Sequence, residues 1–367
     1  MAEATQTPRV VRGWLLTLWF LVLAMVMVGG ITRLTGSGLS IVEWRPVTGV
    51  LPPLTDADWR AAFDAYKHSP QFVQQNSWMS LHDFQQIFFW EYLHRLLGRA
   101  IGVVTIVPWL YFVLRGVVTK RVAARTFSIV VLGGLQGVLG WWMVKSGLVN
   151  EPRVSHYRLA AHLLLAMCVG QWILWQAVEL LAQPSATPVP RPSARLRWAA
   201  LGLVPLVLVQ LAYGAFMAGL HAGHMAATFP DMNGQYAPQH FFLSDSWRIN
   251  LIDSPWSVHY LHRVLACVLL AYVGVLAGAL RRSRPELRAT AWLLVAAVLG
   301  QAFLGALTVL LHVPIGVAVA HQGGAYILFS ALVLFLHAVF APASATADTS
   351  RDQADSIRPA ARARVIS

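Results

Sequence analysis

The sequence predicts an all-α polytopic membrane protein: eight transmembrane helices arranged as two pseudo-symmetric four-helix bundles. Three observations carry that prediction. Of 367 residues, 57% are hydrophobic and only 12% charged, where a soluble domain carries about 25% charged residues. Apolar windows of about 20 residues, each enough to cross roughly 30 Å of hydrocarbon, occur eight times. A Tyr-Leu-His-Arg tetrad at Tyr92–Arg95 returns at Tyr260–Arg263, 168 residues later.

The first window, 14–32, follows Arg9 and Arg12. It is too long for a signal-peptide core and no small-x-small cleavage site follows, so it reads as a retained span. The others fall at 88–114, 124–143, 159–182, 198–220, 256–280, 289–311 and 317–340. Lys and Arg distribute unevenly between them. With both termini inside, cytoplasmic segments hold 17 and outer segments eight, although the outer loops are longer. The positive-inside rule explains the net charge of +12 and sets the orientation. Nucleic acid is therefore not among the expected partners; the lipid bilayer is.

Two outer loops are long, 33–87 and 221–255. The first contains "LTDADWRAAFDAYKH", whose acid-rich start and apolar stripe predict a short amphipathic helix on the membrane surface. A Pro/Ser/Arg-rich linker at 184–197 separates an N-terminal unit, 1–183, from a C-terminal unit, 198–341, and the polar tail 342–367 reads as disordered. Each unit has four spans, an even number, so both insert the same way: a parallel duplication rather than an inverted repeat. Cys168 and Cys267 lie inside apolar runs and are expected to pack as small hydrophobes.

Thirteen histidines occur. His68, His82, His156, His221, His224 and His240 fall in predicted outer loops and read as solvated or capping residues; His312 and His337, at span ends, read as structural. Four of the remaining five differ. His94, His162, His262 and His321 open spans two, four, six and eight, all running from outside to inside. Two histidines at one depth on two helices of a bundle can approach one point from opposite sides. That is what bis-histidine ligation of a haem iron needs. Zinc is disfavoured, because no cysteine or carboxylate completes a four-ligand set within each pair. Arg95 and Arg263 directly follow their histidines and Arg158 lies one turn before His162, placed to neutralise propionates. Glu91 precedes His94 by three residues and shares its face, whereas the equivalent position in the second half is His259. That difference predicts chemistry in the first half and a held cofactor in the second.

Several stretches taken together resemble the heme A synthases, which serve cytochrome c oxidase assembly. They are "VGGITRLTGSGLSIVEWRPVTGVLPPL", "EYLHRLLGR", "SHYRLAAHL", "MAGLHAGHMAATFPDMNG", "VHYLHR" and "AVAHQGGAYILF". The resemblance spans nearly the whole chain. It implies oxidation of the methyl at pyrrole position 8 of haem O, through an alcohol, to the formyl group of haem A. It further implies that His262 and His321 ligate a haem b cofactor, that His94 and His162 flank the substrate haem, and that Glu91 is essential nearby. Some family members carry a cysteine pair in the first outer loop; this chain has none there, which excludes a thiol relay at that place. The pattern is similar to the bacterial branch nearest the mitochondrial enzyme, implying a bacterial plasma membrane with the haem sites toward its outer side. Haem O synthase and oxidase assembly proteins are the partners implied, with homo-oligomerisation left open. Two rivals remain: a di-haem b electron-transfer cytochrome, against which the Glu91/His259 difference argues, and a transporter. The transporter predicts polar groups deep in the spans, whereas the ionisable ones cluster at the outer end.

Overall fold

The computed structural model describes residues 9–43, 48–148, 152–180, 192–237 and 246–340. Part of the 184–197 linker, His240 and the 342–367 tail lie outside them. Among the described residues the chain is helical throughout, with eight helices long and apolar enough to cross a membrane. These are α1 (Arg9–Leu34), α3 (Leu81–Leu114), α4 (Lys120–Lys145), α5 (His156–Glu179), α6 (Ala194–Gly219), α7 (Pro255–Ser283), α8 (Arg288–Leu310) and α9 (Ile315–Phe340). The protein is a multi-pass membrane protein.

The surface helix expected in the first loop is present as α2 (Asp56–Lys67). Thr55 and Asp58 form a reciprocal capping box that satisfies its first N–H groups. Ser80 and Asp83 cap α3 in the same way, so α3 starts seven residues before the apolar window at 88. The window misses these two turns because their residues serve α2 rather than lipid. Phe63, Tyr66, Phe84, Ile87 and Phe88 form a separate aromatic cluster that fastens α2 to the outer extension of α3.

The helices close into two rings. α1 packs on α3 and α5, and α4 on α3 and α5; α7 packs on α6 and α8, and α9 on α8 and α6. The rings meet through α1 on α9, α5 on α6 and α5 on α9. Burial follows: 61% of the α9 span is buried against 6% of α4, which faces outward.

The seam is held by polar groups as well as apolar ones, since lipid gives helices no hydrophobic reason to associate. Gln322 Nε2 donates to the Val26 carbonyl at 2.6 Å, Tyr326 OH to the Trp19 carbonyl at 3.1 Å, and Ser330 Oγ to Gln171 Oε1 at 2.9 Å. Three expectations need correction. His82, expected in the outer loop, is the second residue of α3. Cys168 and Cys267 are free and exposed on outward faces rather than packed inside. His156 is not a loop residue but the first residue of α5, packed against the end of α6 at Gly219.

Candidate functional site

The four singled-out histidines occupy four similar helix pairs. Opposite each, the neighbouring span carries a glycine five residues from its end: Gly29 on α1 faces His94, Gly140 on α4 faces His162, Gly214 on α6 faces His262 and Gly305 on α8 faces His321. A methyl group added at these glycines would meet the imidazole at 3.3, 2.9, 3.3 and 3.0 Å respectively. The glycines therefore make the room in which the rings lie. All four imidazoles remain partly open, while Glu91 and His259 beside them are sealed, at 2% and 1% exposure.

One turn before three of these glycines stands a glutamine. Gln136, Gln210 and Gln301 donate from Nε2 to the backbone carbonyls of His162, His262 and His321, at 3.0, 3.2 and 2.7 Å. The Gln136 and Gln210 amides also touch the rings, with Nε2 3.2 and 3.3 Å from Nδ1. At the fourth site the position is Met25, whose methyl group packs against Gly98, one turn beyond His94. No reading of the sequence alone isolated these residues. A glutamine in an apolar span signals only helix-to-helix glue, and its spacing to glycine acquires meaning once the facing histidine is known.

His262 and His321 come together, their ring centres 6.4 Å apart and their planes at 86°. A metal bonded to both at about 2.0–2.1 Å, with roughly 1 Å more from each nitrogen to its ring centre, would separate the centres by about 6 Å. The donor set thus fits an iron held between two imidazoles. Among the described residues no three or more His, Cys, Asp or Glu gather as a metal site.

The acid and the arginines are bound into the loops above. Glu91 Oε2 accepts from Ser40 Oγ and the Ile41 N–H, both at 2.7 Å, and Oε1 pairs with Arg95 Nη2 at 2.6 Å. Arg95 also donates to the carbonyls of Ile41 and Glu43. In the other ring Arg263 Nε donates to His259 Nε2 at 3.0 Å and its Nη atoms reach the carbonyls of Thr228, Pro230 and Asp231. Both arginines thereby tie the loop after the preceding span to the histidine helix, a job the sequence did not suggest. Arg158 stacks over Trp142 with its Cζ 4.1 Å from the ring and donates to the Trp142 carbonyl.

Nearby, Asp253 accepts from His156 Nε2 at 3.1 Å and from Tyr157 OH, joining α5 to the turn before α7. His221, in the loop after α6, is held below its ordinary pKa by burial and by Arg33 and Arg153. A cavity of about 430 Å³ lies between α2, the first loop and α3, lined by Ile41, Leu51, Phe88, Tyr92, Arg95 and Arg99.

Fold and site define a multi-pass helical membrane protein in which four helix pairs each present one histidine near the same end. Comparison with known proteins sharpens this: the COX15-CtaA family model, described as cytochrome oxidase assembly protein, matches residues 12–333, and the chain belongs to that family. Among its relatives, the heme A synthase of Rhodopseudomonas palustris (strain HaA2) is 44% identical over 347 residues, covering 93% of this chain and 94% of the relative. That of Bradyrhizobium sp. (strain BTAi1) is 46% identical over 332 residues, covering 88% and 90%. That of Sphingopyxis alaskensis is 42% identical over 330 residues, covering 90% and 92%.

Proposed function

We propose that the chain is a heme A synthase that oxidises the methyl group at pyrrole position 8 of haem O to a formyl group. The relatives' shared name and the family membership support the activity. One observation carries the division of labour: the two rings match at their histidines but differ beside them, with buried Glu91 near His94 and buried His259 near His262.

In this reading His94 and His162 flank haem O, with Arg95 and Arg158 toward its propionates. His262 and His321, with Arg263 alongside, hold a resident haem b. When bound, haem b supplies one-electron transfer. Ser40 and the Ile41 N–H fix the Glu91 carboxyl group on the face of α3 that carries His94. From there it stabilises positive charge developing at the methyl carbon, or accepts the departing proton. Arg95 balances its charge and anchors the loop that closes over it.

The two rings are read as duplicated units, 1–183 and 198–341, in a bacterial plasma membrane. Both termini are placed in the cytoplasm and the histidines toward the outer face, on the strength of the Lys/Arg count. Haem O synthase and oxidase assembly proteins are the partners the pathway requires.

Expression in a host that makes haem O but no haem A tests the activity directly. Chromatography of the extracted haems should reveal the alcohol and haem A. Haem b and unaltered haem O alone would instead identify a di-haem electron-transfer cytochrome.

A further inference from the structure

The four helix pairs form an internal comparison, and one of them is different. In three, glutamine and glycine one turn apart hold the facing histidine: the amide grips the backbone carbonyl and the glycine takes the ring. In all three the Oε1 atom of the same amide is buried without a hydrogen-bond partner. A metal-bound imidazole carries its proton on the nitrogen away from the metal, and that N–H needs an acceptor, which also raises the ligand's basicity. In this structure the amide turns Nε2 toward Nδ1 of His162 and His262, at 3.2 and 3.3 Å, and Nδ1 of His321 is itself buried without a partner, so what the three sites share is the grip on the backbone carbonyl.

The His94 pair keeps the glycine, Gly29, but not the amide. Met25 replaces the glutamine, and a thioether neither grips the carbonyl nor offers a strong acceptor. The residue one turn beyond the histidine changes with it: Ala166, Ala266 and Ala325 follow the clamped histidines, whereas Gly98 follows His94 and has the Met25 methyl beside it. The ring itself is turned. It presents its Nε2–Cδ2 edge to Gly29, where His162, His262 and His321 present Cε1 to their glycines.

We propose that Met25 makes His94 the exchangeable ligand of the substrate site, the one that lets go so that haem O is admitted and its product released. Resting on the reading of the His94/His162 pair as the substrate site, it explains why the chain clamps three of its four histidines. A resident haem calls for two firm ligands; a substrate haem calls for one firm ligand, His162, and one that yields.

The test exchanges the two environments in the full-length, purified protein. Met25→Gln with Gly98→Ala gives His94 the surroundings of the other three, and Gln136→Met with Ala166→Gly removes them from His162. Protein loaded with haem O during expression is mixed with excess apomyoglobin, and the loss of haem O-type pigment is followed, with haem b measured in the same samples. Groups hydrogen-bonded to a metal's ligands typically change metal affinity by about 10–100-fold. The first double variant should therefore release haem O about tenfold or more slowly than wild type, and the second should release it faster, with haem b unchanged in both. Should one variant lose haem b through misfolding, the other still decides. Release at the wild-type rate from a variant that keeps its haem b overturns the proposal. Wild-type protein that takes up no haem O at all instead overturns the reading of the substrate site on which it rests.

Discussion

Glu91 is the residue at which the electrostatics are most demanding, because it is buried at the edge of a membrane span and yet fully engaged. Its two oxygens take a hydroxyl, a backbone N–H and a guanidinium. Glu91→Gln keeps an acceptor for Ser40 and Ile41 but turns its amide nitrogen toward Arg95, removing both the charge and the acceptor opposite that guanidinium. Breaking a buried pair outright costs about 3–5 kcal/mol, but the retained loop bonds should hold the loss below that range. Turnover should fall by about 10²–10⁴-fold, the usual worth of a positioned acid or base, while His259→Gln leaves it much less affected. Haem A formation and thermal unfolding of the two variants check this together. A stable Glu91→Gln protein with near-normal turnover would remove the carboxylate from the chemistry. Much of this site was legible beforehand: the four histidines and Glu91 stand out because ionisable groups in an apolar run are costly. The glutamine clamps, Met25 and the carbonyls that occupy Arg95 and Arg263 were not, since each depends on which helix or loop lies opposite.

At the scale of the helices, hydropathy alone located all eight spans, because length and apolarity are what a bilayer demands. It erred where something other than lipid shapes the chain. The start of α3 belongs to the aromatic cluster under α2, and His156 opens α5 because Asp253 and the end of α6 receive it. Nor could hydropathy rank the helices by burial. The seam depends on close approach: the Tyr326 ring on α9 passes directly over Gly170 on α5, where a side chain's first carbon would collide with it. Gly170→Ala should accordingly destabilise the protein by about 1–3 kcal/mol, the usual cost of overpacking. Gly133→Ala, with nothing nearby, should be neutral or slightly stabilising. Thermal unfolding in detergent distinguishes them, and equal midpoints would mean that the α5–α9 seam is looser than described.

For the whole molecule, the spans and the rings combine into one arrangement: four histidine-bearing helix pairs set near one end of the spans. Reporter fusions after Arg197 and Arg288 should read cytoplasmic, and one after His224 should read outside. A reversed signal at any of the three would overturn the orientation drawn from the Lys/Arg distribution. The unequal tasks of the two rings are tested most directly by bound haem in histidine variants. Haems are extracted from purified His94→Ala, His162→Ala, His262→Ala and His321→Ala proteins and separated by chromatography. His262→Ala and His321→Ala should each lose most of the haem b, because they break the pair whose ring centres lie 6.4 Å apart. His94→Ala and His162→Ala should keep most of it while losing haem O and its oxidation products. Equal loss of haem b from all four would contradict a resident cofactor in one ring and a substrate in the other.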